Sequence, residues 1–316
     1  MMISAVPEEE QAPLAETIAR ISRADIALPD SHLARLSELA AEDLARLASA
    51  LAGLPSEQRR DILSRLAELG NRDVSLVFHD IFRHCLADPD AGVRREAVRA
   101  LWECEDSSLA DSLIALLEGD MSAGVQTEAA QALGRFALLA EHGKLDDERA
   151  ARIARILLRV SENASRPLEV RQRAIEAVAP LTLSAVKTAI DAAYNSGSDR
   201  LRISSLRAMG KSCDPSWLPC LLHELSSADA DIRREAAEAL GEIEEQDAVP
   251  QLAELVYDDA EEVRLATVRA LSSIGGAEAV ECLKLCLEDP DATISQAAEE
   301  ALQELSGLED MSSFLL

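Results

Sequence analysis

Aromatic residues are nearly absent from this chain, whose 316 residues include 2 Trp, 2 Tyr and 4 Phe. A core must therefore be built from Leu, Ala, Val and Ile, the usual filling of packed helices. Lysine is also scarce: only Lys144, Lys187, Lys211 and Lys284 stand among 31 basic residues, against 58 acidic ones. The net charge of −27 repels phosphate at long range and argues against a nucleic-acid partner. No apolar run approaches the roughly 18–20 residues that span a bilayer. The opening MMISAVPEEE lacks the basic and apolar regions of an export signal. A cytoplasmic protein without a membrane partner is expected. The cysteines Cys85, Cys104, Cys213, Cys220, Cys282 and Cys286 are scattered along the chain, so reduced core thiols are expected rather than disulfides.

Catalytic signatures are missing as well. No phosphate-binding G-x-x-x-x-G-K-[ST], dinucleotide-binding G-x-G-x-x-G or nucleophile-elbow G-x-S-x-G is present. The histidines His32, His79, His84, His142 and His223 are dispersed, and only His223–Glu224 forms a His-Glu dipeptide. His79 and His84 are five apart rather than the four that align two ligands on one helix face. Cys282 and Cys286 have helical spacing but no third ligand near them in sequence, and fit as core fillers. No enzyme activity, cofactor or metal is expected.

What the chain does contain is a recurring helical phrase. Its first apolar residue, position 1, falls on Val93, Val125, Val170, Leu201, Ile232, Val263 and Ile294, at intervals of 32, 45, 31, 31, 31 and 31 residues. Position 5 is small in most repeats (Ala97, Ala129, Ala174, Ser205, Ala236, Thr267, Ala298), and position 8 is alanine in all seven. Position 9 always carries a core filler: Leu101, Leu133, Val178, Met209, Leu240, Leu271 and Leu302. These positions share one helix face, and the alanines let neighbouring helices approach closely. Five residues before position 1 stand Asp88, Asp120, Ser165, Ser196, Ser227, Asp258 and Asp289, expected as N-caps. Pro89 and Pro290 follow at what would be the first helical position. A second amphipathic segment lies between successive phrases, as in 109–117, 217–225, 249–256 and 280–287, so each period is a helix pair with no room for a strand.

The runs D-P-D-A-G-V-R-R-E-A-V-R-A-L at 88–101 and S-A-D-A-D-I-R-R-E-A-A-E-A-L-G at 227–241 resemble the short HEAT-like repeats first named from phycobilisome lyases. The resemblance covers roughly 73–305 and implies an all-α fold, a right-handed α-solenoid of HEAT-like helix pairs. It implies a fold more sharply than a function. The expected organisation is a mobile segment over 1–28, an N-terminal helical cap over 29–71, a seven-repeat array over 72–307 and a tail over 308–316. The cap would comprise two helices, 30–52 and 56–69, and the 45-residue interval would form an enlarged pair near 125–165.

Position 2 is Arg94, Gln126, Arg171, Arg202, Arg233, Arg264 and Ser295. It lies within the apolar arc, so its guanidinium is expected to run along the repeat interface and donate to turn carboxylates or carbonyls of an adjacent unit. Positions 3, 4 and 7 lie on the other side. In HEAT solenoids the second helix of each pair lines the inside, which implies a concave wall here. The wall candidates are Arg95, Glu96, Arg99, Glu128, Gln131, Arg173, Glu176, Ile203, Arg207, Arg234, Glu235, Glu238, Leu265 and Arg269. Their near-neutral mixture of charge, within so acidic a chain, suits a polypeptide or extended peptide partner.

The expected function is therefore that of a non-catalytic scaffold or adaptor, with a bilin lyase subunit or chromophore-protein chaperone as the alternative by resemblance. A HEAT-like DNA glycosylase is disfavoured because the wall has no aromatic residue and little net positive charge. Di-iron hydroxylases of HEAT architecture, by resemblance, need several His-Glu pairs facing one another.

Overall fold

The computed structural model describes residues 14–24 and 27–313. Every regular element among them is helical, and no strand occurs. The chain divides into two compact units, Met1–Leu133 and Gly134–Leu316. The first unit contains α1 (Leu14–Ser22), α2 (Asp30–Leu33), α3 (Ala41–Ala52), α4 (Ser56–Arg72), α5 (His79–Cys85), α6 (Ala91–Ala100) and α7 (Ser108–Gly119). Helix α8 (Ala123–Glu141) runs across the division. The second unit continues with α9 (Asp147–Glu162), α10 (Leu168–Val178), α11 (Ser184–Tyr194), α12 (Asp199–Lys211), α13 (Leu218–Glu224) and α14 (Ala230–Ile243). It ends with α15 (Val249–Leu252), α16 (Glu261–Ile274), α17 (Gly276–Cys286) and α18 (Ala292–Ser313). No helix of the described residues is long and apolar enough to cross a membrane.

The repeats are the helix pairs α5–α6, α7–α8 and so on to α17–α18, and the fold class is an all-α solenoid of stacked pairs. Second helices pack on one another: α4 on α6 in the first unit, and α10, α12, α14, α16 and α18 in succession in the second. The phrase explains this stacking. All seven residues at position 1 and all seven at position 5 are buried. Where position 9 is followed by glycine, the next repeat's alanine closes against it. A Cβ on Gly210 would meet the Ala239 Cα at 2.8 Å, and one on Gly241 would meet the Ala270 Cα at 2.8 Å. Only a missing side chain facing a one-carbon side chain permits that approach.

The enlarged interval holds a 19-residue α8 and a 16-residue α9, against 11 residues in α10. In the cap, the helix expected over 30–52 is broken. After α2 and a 3-10 turn at Ala34–Leu36 the chain extends, with Glu38 at a φ of 49°. The Glu38 amide donates to the Val77 carbonyl at 3.0 Å and the Val77 amide donates to Ser37 Oγ at 2.8 Å. Those long-range bonds substitute for the helical ones that the break forgoes. Of the segment expected over 1–28, residues 1–13 and 25–26 lie outside the described residues, as do 314–316 of the tail. Within 14–22, α1 buries Ile18 and Ile21.

The cap expectation is corrected by two residues. Helices α6 and α14 are capped by Asp90 and Asp229, whose carboxylates accept from the Val93 and Asp231 amides. Pro89 and Pro290 precede the first helical residues, Ala91 and Ala292. The aspartates five places before position 1 instead fold the turn. Asp88, Asp120, Asp258 and Asp289 each accept from the amide two residues ahead, at 2.8–2.9 Å. The same four carboxylates also accept from an arginine.

Candidate functional site

The position-2 side chains build the expected ladder. In the first unit Arg94 donates to both carboxylate oxygens of Asp120, at 2.6 and 2.7 Å, and to the Asp88 carbonyl at 2.8 Å. Gln126 donates to the Asp120 carbonyl. In the second unit Arg233 and Arg264 repeat the pattern on Asp258 and Asp289 and on the carbonyls of Ser227 and Asp258. Arg171 donates to the Ser161 carbonyl at 3.0 Å. Arg94, Arg233 and Arg264 thus each tie the turn of their own repeat to that of a neighbour. The sequence reading missed one rung, Arg59 of α4, which donates to Asp88 at 2.8 Å and to the Leu54 carbonyl. No repeat phrase precedes it, so periodicity gave no signal there.

Arg202 takes a different partner, Glu224 at the end of α13, through contacts of 2.5 and 2.7 Å. Its guanidinium also lies over the Tyr194 ring, and the Tyr194 hydroxyl donates to the same carboxylate. Burial, with Glu224 adding to it, holds the Tyr194 phenol well above its ordinary pKa. The only His-Glu dipeptide is therefore divided: Glu224 is buried and committed to Arg202, while His223 faces solvent. No group of three or more His, Cys, Asp or Glu side chains able to hold a metal ion occurs among the described residues. Burial also lifts the Cys85 thiol to about 12 and the Cys286 thiol to about 11, which keeps both protonated at neutral pH.

The wall residues divide by unit. In the first, Arg95 and Gln131 are exposed, Glu96 is half-buried, and Arg99 reaches along the stack to Glu128 at 2.8 Å. In the second they form a charge network linking α10, α12 and α14. Arg173 contacts Glu176 at 2.6 Å and Arg207 approaches the same carboxylate at 3.6 Å. Arg207 also donates to Glu235 from Nε at 2.6 Å, and Arg234 holds Glu235 at 2.8 Å and Glu238 at 3.8 Å. Glu176 and Glu235 are 4% and 1% exposed, a correction to the exposed wall expected for them. Arg173 and Arg207 lie against Glu176, and the close approach of Gly210 to Ala239 draws α12 and α14 together where Arg207 covers Glu235. The Glu235 hydrogen bond in turn raises the Arg207 pKa, and burial, reinforced by Glu235, raises that of Glu238.

Beyond this network the face opens. Between α16 and α18 lies a groove of about 370 Å³ lined by Leu265, Val268, Arg269 and Ser272 on one side and Thr293, Gln296, Ala297, Glu300, Ala301 and Glu304 on the other. Leu265 is half-buried and Arg269 exposed. Arg269 makes no hydrogen bond or ion pair among the described residues. Ile203, also half-buried, sits on α12 near the start of the row.

A family model for HEAT repeats matches residues 80–179 and 218–303. Among curated proteins, deoxyhypusine hydroxylase of Gallus gallus is 26% identical over 126 residues, 39% of this chain and 41% of that protein. The match thus spans about two fifths of that relative's length. Among solved structures, human deoxyhypusine hydroxylase aligns with a TM-score of 0.37 and 20% identity, covering 84% of this chain and 96% of that one. Importin beta aligns with a TM-score of 0.49 and 12% identity, over 92% of this chain and 48% of that one. The expectation that the chain is not an enzyme is overturned by the curated relative, which is one. That relative does not favour the bilin-lyase alternative either.

Proposed function

The chain belongs to the HEAT-repeat family, and from that premise we propose that it binds a polypeptide partner along the second-helix face of the second unit. The observation that carries this reading is the groove between α16 and α18. It joins a half-buried apolar residue, Leu265, to an exposed cation, Arg269, opposite Glu300 and Glu304. Such a groove offers an extended segment both an apolar seat and polar anchors. The adjoining network from Arg173 to Glu238 holds its charges in fixed geometry, so a partner meets a face with little ordering left to do.

A photocrosslinking residue at Arg269 tests this, with one at the exposed Tyr257 of the first-helix side as its counterpart. In an extract of the source organism, position 269 should capture a discrete polypeptide that position 257 does not, and Leu265→Glu should abolish the capture without lowering the melting temperature. Equal capture from both positions, or capture indifferent to Leu265→Glu, would reject the face. Arg207→Glu is unsuited to this purpose, because a second carboxylate beside the buried Glu235 would unfold the network rather than probe its surface.

A further inference from the structure

The first repeat departs from the phrase at the residue after position 9. In three later repeats that place holds Gly134, Gly210 or Gly241, each receiving an alanine of the following repeat. Here it holds Trp102, one of 2 Trp in the chain. Helix α6 stops at Ala100, so the indole is not driven into the stack; it is 59% exposed, with Nε1 donating to Asn71 at 3.5 Å. Beside it, on the connection from α4 to α5, Val74 and Val77 are 88% and 36% exposed. A hollow of about 180 Å³ opens among them, lined in its depth by Leu66, Gly70 and Phe82. An exposed tryptophan bordering a hollow walled by aliphatic and aromatic side chains, with Asn71, His79 and Glu103 among them, has the mixed composition of an interface anchor.

A second hollow, of about 310 Å³, adjoins the first and shares Val77, Phe78 and His79 with it. It is acidic: Glu38, Asp80 and Asp106 line it, and its one arginine, Arg83, is neutralised by Asp106 at 2.8 Å. Glu38 and Asp80, together with Glu103 on the apolar side, make no ion pair among the described residues. The backbone bonds between 37–38 and 77 fix the wall between the two hollows before anything binds.

We propose that this paired site, which lies wholly in the first unit and is independent of the groove above, docks a basic–apolar polypeptide segment. A bulky aliphatic or aromatic side chain of the partner enters the hollow beside Trp102. A neighbouring Arg or Lys reaches the unpaired carboxylates of Glu38 and Asp80, where charge complementarity selects for it and against an acidic segment. The Trp102 face is also open to a cation.

The test uses the full chain and a short fluorescein-labelled peptide in which leucine and arginine alternate with glycine and serine. Trp217 is buried, so a blue shift of the solvent-exposed tryptophan emission on titration reports Trp102. Polarisation should show saturable binding, weakened about tenfold or more by Leu→Ser or Arg→Glu in the peptide. The same loss should follow Trp102→Ala and Glu38→Lys with Asp80→Lys in the protein, with unchanged melting temperatures. Glu38→Gln with Asp80→Asn, which alters charge without adding repulsion, should lie between. Binding indifferent to both sets of variants would overturn the proposal. So would a sedimenting dimer that Trp102→Glu dissociates, since the occupant would then be a second copy.

Discussion

Arg233 holds Asp258 through two parallel hydrogen bonds, from Nε at 2.7 Å and from Nη2 at 2.8 Å, while its third nitrogen donates to the Ser227 carbonyl. Asp258 in turn accepts from the Ala260 amide. A single side chain therefore connects two inter-helix turns from successive repeats, and each turn is shaped by the carboxylate or hydroxyl that begins it. Arg264 continues the connection to Asp289.

Removing one rung should be costly. Both side chains of the pair are mostly buried, at 16% and 10% exposure, and a charge-assisted hydrogen bond contributes about 1.5–3 kcal/mol. Arg233→Met keeps the apolar stem and leaves Asp258 without its counter-charge, so a loss of that order is expected in urea denaturation. A midpoint equal to that of the unaltered chain would show the ladder to be ornamental.

Acid should weaken the ladder in a defined direction. The Arg233 hydrogen bond comes first among the causes holding Asp258 below the usual carboxylate range, and the Val93 amide holds Asp90 there. Groups depressed on folding contribute stability that is present above about pH 3.9 and lost as pH falls through their folded values. Glu238 has the opposite sign. Its pKa is raised, chiefly by burial, so its contribution is present at low pH and lost as pH rises through the folded value. Stability should pass through a maximum in mild acid. Asp258→Asn should flatten the acid limb and Glu238→Gln the other, as read from denaturation midpoints across pH. A Glu238→Gln profile superimposable on the parent's would remove that residue from the account.

Glycine in the stacked helices should resist replacement by the better helix former. Gly241→Ala gains about 1 kcal/mol of propensity but sets a Cβ 2.8 Å from the Ala270 Cα. Overpacking costs about 1–3 kcal/mol, so net destabilisation is expected. At Gly119, where nothing lies within 4 Å, the same change should be neutral or stabilising. Equal melting shifts for the two variants would contradict the close approach of α14 and α16.

Helix pairing was readable directly from the chain, because a buried stripe repeats every 3.6 residues and seven copies of one phrase leave little choice of local structure. The arginine at position 2 could also be placed within the interface from its angle on the helix. Its partner could not be named so easily, since Asp258 lies 25 residues beyond Arg233 and meets it only through the way successive pairs stack. The same holds for the mistaken caps: in the pairs Asp88/Asp90 and Ser227/Asp229 both residues have the right chemistry, and only the turn's path decides which one meets the first free amide.

The site residues divide on the same principle. Leu265 and Arg269 were legible as members of one helix face, but the groove they line depends on α18 beside them. Glu176 and Glu235 belong to that face by periodicity, yet both are buried, Glu176 against Arg173 and Arg207 and Glu235 where the glycine-to-alanine approach brings α12 and α14 together. Trp102 gave no periodic signal at all, and its exposure follows from the end of α6 at Ala100. Local sequence governs what each helix offers to its neighbours; how closely those neighbours approach is settled by side chains many residues away, and that distance decides which charges are paired, which are covered and which stay free.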